Sequence, residues 1–332
     1  MATPRIAVVG AGYWGKKVIR EILDISRSTG KVSIHAIADN SPTMLTQCRQ
    51  EFGPLDYRVN YQELLNDPEL SAVHICTPNA THYEVASSFI RKGKHVLVEK
   101  PLALKSTEAF ELVRLARENN VILCTGHVHR FSNGVRQLRQ VLTNGILGEL
   151  FYLRFRWTGL LVPQSQREVI TDLAPHPFDI CNYLSGKWPS KVTCWGRGYR
   201  TKDNEEVAFI TAEHEGGLTA QVEVSWLDRE KRRDVTVVGG NGMAHLDCSE
   251  QRLVLHGVNG PEQIQVTPSN TLRSEILHFI DCINHNPHAL PSLSDGLVGA
   301  NVVSVLEAAR QSLAEERTVQ VHFPIAEEIP AK

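Results

Sequence analysis

The chain has 332 residues, 42% of them hydrophobic and 22% charged, with a formal net charge of -2 and seven scattered cysteines. That length exceeds what one hydrophobic core usually spans and predicts two domains. The near-neutral balance gives nucleic acid or a membrane surface no electrostatic footing as a partner, and no Cys-x-x-Cys pair supports a disulfide framework or a zinc site.

The N-terminal residues lead straight into a strand, with no basic leader or long apolar segment, which predicts a cytoplasmic protein. No stretch approaches the roughly 20 apolar residues that a membrane span requires. Residues 5–9 form a short apolar strand closed by Gly10-Ala11-Gly12-Tyr13-Trp14-Gly15, after which residues 17–25 read as a helix. Strand, glycine loop and helix is the setting in which G-x-G-x-x-G binds a dinucleotide. Gly10 permits the tight turn, Gly12 the close approach of a pyrophosphate, and Gly15 the packing of helix on strand. The amides at the helix start favour an anion. Tyr13 and Trp14 are either loop packing or a wall of the dinucleotide pocket. The second strand, residues 32–38, ends on Asp39, the acid expected to bond a ribose 2'-hydroxyl; it repels a 2'-phosphate and so predicts NAD in preference to NADP.

Alternation continues with a strand at 72–75, the segment Cys76-Thr77-Pro78-Asn79, a helix at 82–92 and a strand at 95–98. This last strand stops on Glu99-Lys100-Pro101. In an open parallel sheet ligands gather beyond the carboxyl ends of strands, so Lys100 is placed to face one. A helix at 106–119 and a strand at 121–124 complete a doubly wound parallel sheet, the Rossmann arrangement, over residues 1–124.

Residues 125–332 read as an α+β domain for substrate binding and oligomerisation. A helix at 134–143 precedes a long alternating strand at 150–157. Residues 173–184 read as one helix despite Pro175 and Pro177. Strand-like runs follow at 191–199, 206–213, 218–226, 233–238, 243–247 and 252–256, joined by glycine-rich turns as hairpins require. Helices at 272–284 and 295–313 and a strand at 319–323 end the pattern. The expectation is a large, mainly antiparallel open sheet with helices on one face. The other face is then available to join copies into a homodimer or homotetramer.

In a continuous helix, Asp172, His176 and Asp179 share one face at i, i+4 and i+7. A carboxylate beside an imidazole favours its charged form and holds its tautomer, which prepares a general base. The alternative is a helix start with Asp172 as its cap. Strand alternation puts His127 and His129 on one face with no third ligand in view, so no metal is expected.

Together these residues resemble the Gfo/Idh/MocA oxidoreductases, the relatives of glucose-fructose oxidoreductase and inositol 2-dehydrogenase. The resemblance runs from the glycine loop through Asp39, Thr77-Pro78-Asn79 with His82, and Glu99-Lys100-Pro101, to Asp172-x-x-x-His176-x-x-Asp179. It implies that Gly10, Gly12 and Gly15 hold the pyrophosphate of NAD and Asp39 the adenosine ribose. Thr77, Pro78, Asn79, His82 and Glu99 would line the nicotinamide side. Lys100 would orient a reacting hydroxyl and His176 take its proton, with Asp172 beside them. Removing a hydroxyl proton while a hydride leaves carbon needs a base and a cation at one oxygen.

Residues 126–133, Gly-His-Val-His-Arg-Phe-Ser-Asn, resemble the G-H-V-E-R-F-N-P stretch of the branch that oxidises UDP-N-acetylglucosamine at C3, with His129 standing where that stretch has Glu. A small-molecule substrate, a UDP-sugar, is therefore expected. Arg130, Arg154 and Arg156 would either meet its diphosphate or serve as strand-surface charges. Asp179 would join the substrate contacts, and the loop at 160–170, with Arg167, would border the sugar. Competing readings are a dehydrogenase of inositol or a free sugar, an NAD-dependent glycosidase of the same fold, and a non-catalytic dinucleotide sensor.

Overall fold

Four apolar residues in a row, Ile6, Ala7, Val8 and Val9, are buried in β1 (Arg5–Val9), as befits the centre of a parallel sheet covered on both faces. The computed structural model describes residues 3–162, 168–200, 204–285 and 292–324. It divides into two compact units, Met1–His127 with Leu272–Ala300 and Pro324–Lys332, and Val128–Thr271 with Asn301–Phe323.

In the first unit β1 is followed by α1 (Tyr13–Thr29), β2 (Ser33–Ala38), α2 (Pro42–Phe52), β3 (Tyr57–Arg58), β4 (Ala72–Ile75), α3 (His82–Ile90), β5 (His95–Val98), α4 (Ser106–Glu118) and β6 (Leu123–Thr125). The six strands pair in parallel in the order β3-β2-β1-β4-β5-β6, a doubly wound sheet. Helix α1 buries Val18, Ile19, Ile22 and Ile25 along one stripe and stops at Gly30, whose φ of 65° only glycine adopts cheaply.

The second unit opens with a 3₁₀ turn, Val128–Phe131, and continues through α5 (Asn133–Thr143), β7 (Leu150–Thr158), α6 (Val169–Leu173) and α7 (Pro175–Ser185). Then come β8 (Lys191–Arg197), β9 (Val207–Glu213), β10 (Thr219–Ser225), β11 (Arg232–Gly239), β12 (Gly242–Asp247), β13 (Arg252–Gly257) and β14 (Gly260–Ile264). After these the chain forms α8 (Thr271–Asn284), α9 (Gly296–Glu315) and β15 (Val319–Gln320). Nine strands line up as β14-β13-β12-β11-β7-β10-β9-β8-β15, antiparallel throughout except for the β7–β10 pair. Along β7, Leu153, Phe155 and Trp157 are buried while Arg154 is exposed and Arg156 half-buried, the period-2 signature of a sheet with one covered face.

Three expectations are corrected. Residues 173–184 do not form one helix: Pro175, which has no N–H to donate, starts α7 afresh after α6 ends at Leu173. His127 and His129 do not share a strand face, because β6 ends at Thr125 and His129 sits in the 3₁₀ turn. Finally, one cut near residue 124 misses the return of Leu272–Ala300 to the first unit, where Ile276, Phe279 and Ile280 of α8 join the core around Ile6, Val8, Val18 and Leu97. Among the described residues no helix is long and apolar enough to cross a membrane.

Candidate active site

The glycine loop after β1 is shaped by what surrounds it. Gly10 has φ of 96°, and a Cβ there would lie 2.6 Å from the Cys76 carbonyl; one on Gly15 would lie 2.0 Å from the Gly10 carbonyl oxygen. Both positions therefore exclude any side chain. A Cβ on Gly12 would meet nothing within 4 Å, so the backbone there borders open space as a diphosphate cradle requires. Asp39, directly after β2, ties into this loop: Ala11 N–H donates to its Oδ2 at 2.7 Å and Ser41 N–H to its Oδ1 at 2.8 Å. A carboxylate has further lone pairs, so these bonds fix its orientation and leave it able to accept from a ribose hydroxyl.

Tyr13 is 79% exposed, with the Lys17 ammonium 4.5 Å from its ring centroid and 5.4 Å from that of Trp14. Trp14 Nε1 donates to Glu99 Oε1 at 2.5 Å, so Trp14 braces Glu99 from inside the loop. His74 Nε2 lies 3.1 Å from the same oxygen, and a Cβ on Gly126 would crowd Glu99 Oε2 at 2.8 Å. Glu99 is thus fixed at the end of β5, beside Lys100. Among the described residues His74, Cys76 and Glu99 are the group with metal-ligand chemistry, their donor atoms within 4.8 Å of one another. The hydrogen bonds from Trp14 and His74 already use that Glu99 oxygen, and burial pushes the Cys76 thiol well up, away from the thiolate that a metal needs.

His82 is placed differently from the expectation that it lines the nicotinamide side. It is fully buried, with Nδ1 2.8 Å from Pro101 O and Nε2 2.9 Å from Thr77 O. Burial pushes this imidazole down from its ordinary value while the two carbonyls oppose that push. His82 therefore acts as an internal brace between the Thr77-Pro78-Asn79 loop and the backbone next to Lys100. In that loop Thr81 Oγ1 donates to Thr77 Oγ1 at 2.8 Å.

In the second unit His176, at the start of α7, lies against His129, their ring centroids 5.0 Å apart and 82° between planes. Both rings contact Trp157, at 5.3 Å from His129 and 6.3 Å from His176. Asp172 lies on α6, so the shared face of one continuous helix is replaced by two helices meeting at Ala174. Asp172 Oδ2 accepts from Trp226 Nε1 at 3.2 Å. The Arg233 guanidinium, 5.9 Å from the Trp157 ring, is held down by burial and pushed the other way by the Asp172 charge. Trp157, Trp226 and Arg233 escaped the sequence reading as site residues, and His129 entered it only as half of a metal pair that was set aside; the signal there was that 129 is one of the positions at which the 126–133 stretch departs from its pattern.

Of the three arginines, Arg130 departs from both expectations, while Arg154 and Arg156 take the place of strand-surface charges. Arg130 is buried, its Nε donating to Asp179 Oδ1 and its Nη2 to Asn182 Oδ1 at 2.7 Å. Asp179 is likewise buried, so this pair clamps the 3₁₀ turn to α7 and neither member is a surface ligand for a diphosphate. Arg156 pairs through two bonds with Asp234, at 3.0 and 2.7 Å. By strand alternation Arg154 and Arg156 point away from Trp157 and the two histidines, to the opposite face of the sheet. Arg167 falls outside the described residues.

Comparison with known proteins covers both units. Residues 4–127 match the model of an oxidoreductase family with an NAD-binding Rossmann fold, and residues 135–245 match the GFO/IDH/MocA C-terminal domain. A UDP-N-acetylglucosamine 3-dehydrogenase of Acidithiobacillus ferrooxidans is 27% identical over 90% of this chain and 94% of its own length. An uncharacterised oxidoreductase of Synechocystis is 32% identical over 94% of this chain and 87% of its own. The solved structure of the Acidithiobacillus enzyme superposes with a TM-score of 0.83 at 25% identity, covering 95% of this chain and 99% of that one.

Proposed function

Because this chain belongs to the GFO/IDH/MocA oxidoreductase family, we propose that it oxidises a secondary hydroxyl of a sugar with NAD, the substrate being C3 of UDP-N-acetylglucosamine or a close relative. The observation that carries the reading is the pairing of two features in one Rossmann unit: a glycine loop open at Gly12, and a lysine two residues past the end of β5. The sugar nucleotide is supported by similarity along the whole chain to the Acidithiobacillus 3-dehydrogenase. With Arg130 and Arg156 bound to carboxylates, diphosphate recognition falls to other groups.

Bound nicotinamide supplies the acceptor for the hydride. The glycine loop and the start of α1 hold the diphosphate, and Asp39 takes the ribose hydroxyls and repels a 2'-phosphate, which favours NAD over NADP. Lys100 stabilises alkoxide character on the reacting oxygen. His176 accepts the hydroxyl proton, an imidazole being suited to that task near neutral pH. Asp172, held by Trp226, offsets the charge that His176 gains. Trp157 keeps water from one side of the imidazole.

The exposed face of the nine-stranded sheet joins two copies of the chain. Tyr152, Trp195 and Phe209 are 39%, 53% and 47% exposed there, and an apolar face of this kind is what association covers.

A substrate panel tests the function. With NAD, UDP-N-acetylglucosamine should yield NADH and a keto-sugar nucleotide, while free sugars yield little. Turnover confined to inositol or simple aldoses would reject the nucleotide, and release of free sugar without net NADH would reject the dehydrogenase in favour of a glycosidase.

A further inference from the structure

We propose that His129 is a positioning residue for His176, the two imidazoles titrating as one coupled pair, so that the group at position 129 sets the pH range in which His176 can act as a base. The proposal rests on the reading of His176 as proton acceptor given above. Its footing is geometric: the rings meet edge to face at 5.0 Å, and both lie on Trp157, whose side chain is fully buried.

The separation is fixed by the fold. His129 is in the 3₁₀ turn and His176 on α7; Arg130, the next residue in the turn, is clamped to Asp179 and Asn182 of that same helix. One buried ion pair therefore locks the two elements that carry the rings. Beside an indole wall, a charge on one ring is poorly screened from the other.

Among the described residues, the other charged groups on the surrounding elements make contacts of their own. Asp172 from α6 accepts from Trp226, and Arg233 from β11 feels the attraction of Asp172. From α5, Arg136 and Arg139 lie over Phe131 and Tyr183. On α7 itself Asp179 is held by Arg130. From β7, Arg154 and Arg156 point to the far face of the sheet. His129 is the titratable ring in contact with His176.

Two imidazolium ions side by side oppose each other, so such a pair takes up its protons in two separated steps. When His176 accepts a proton from the substrate, a neutral ring at position 129 lets the charge form. A carboxylate there would hold His176 in its protonated form to higher pH and so move upward the range in which it can act as a base.

Two variants, His129→Gln and His129→Glu, test this with the histidine signals followed by NMR in the free protein and the pH profile of kcat/KM. The wild-type His176 signal should titrate in two steps and the His129→Gln signal in one. In His129→Glu the acidic limb of the profile should move up by about one pH unit, a roughly tenfold loss of rate below it. Superimposable titrations in all three proteins would overturn the proposal. His129→Gln, which keeps polarity and similar size, carries the test if the charged variant folds poorly. The NMR reading needs no substrate, so it stands apart from the substrate panel: a panel without sugar oxidation rejects the reaction but not the coupling.

Discussion

Glu205 is packed near Glu168, and burial pushes its carboxyl up to about 7. An unfolded Glu titrates near ~4.3, so between that pH and about 7 the folded chain holds a proton that the unfolded chain has lost, and stability falls as pH rises through the window. Glu205→Gln removes that loss. Its stability should match wild type near pH 4 and exceed it at pH 8 by at most roughly 4 kcal/mol, read as a higher melting temperature; equal melting at pH 8 would refute it. Single residues are legible from sequence where the backbone admits one type only. Gly10 and Gly15 are such positions, since a Cβ at either would strike backbone atoms. Charges are far less legible. Arg130 and Arg156 find their carboxylates 49 and 78 residues away, and nothing local announces such a partner. His82 stands at a recognisable position, but only packing decides that its ring turns inward onto two carbonyls.

At the scale of elements, the buried Arg130–Asp179 pair ties the 3₁₀ turn to α7. Removing one partner of a buried pair strands the other charge, so Arg130→Ala should cost about 3–5 kcal/mol. Denaturant unfolding measures this, and a loss below about 1 kcal/mol, the range of exposed pairs, would mean that the clamp is not structural. The elements most visible beforehand are those with strict periodicity: β7 by its alternation, and α1 by its stripe of Val18, Ile19, Ile22 and Ile25. The break between α6 and α7 carried a signal in Pro175, which is tolerated at a helix start and disruptive inside one. That β7 runs parallel to β10 inside an otherwise antiparallel sheet has no local signature, because strand neighbours are chosen by topology.

For the whole molecule, the doubly wound order was readable from strands alternating with helices, whereas the return of α8 to the first core was not, since an amphipathic stripe does not say which sheet it covers. The open face of the larger sheet makes an assembly prediction. If that face joins copies as proposed, replacing both Trp195 and Phe209, whose rings lie 5.9 Å apart, by Glu should lower the sedimenting mass to that of a monomer; unchanged sedimentation would contradict the proposed interface. Lys100 and His176 are each proposed to act on the hydroxyl being oxidised. The most direct measurement is NADH formation from UDP-N-acetylglucosamine by wild type, Lys100→Ala and His176→Ala, alongside NAD binding to each. The prediction is a loss of about a hundredfold or more in turnover for either variant with NAD binding retained. Wild-type rates in either variant would contradict it.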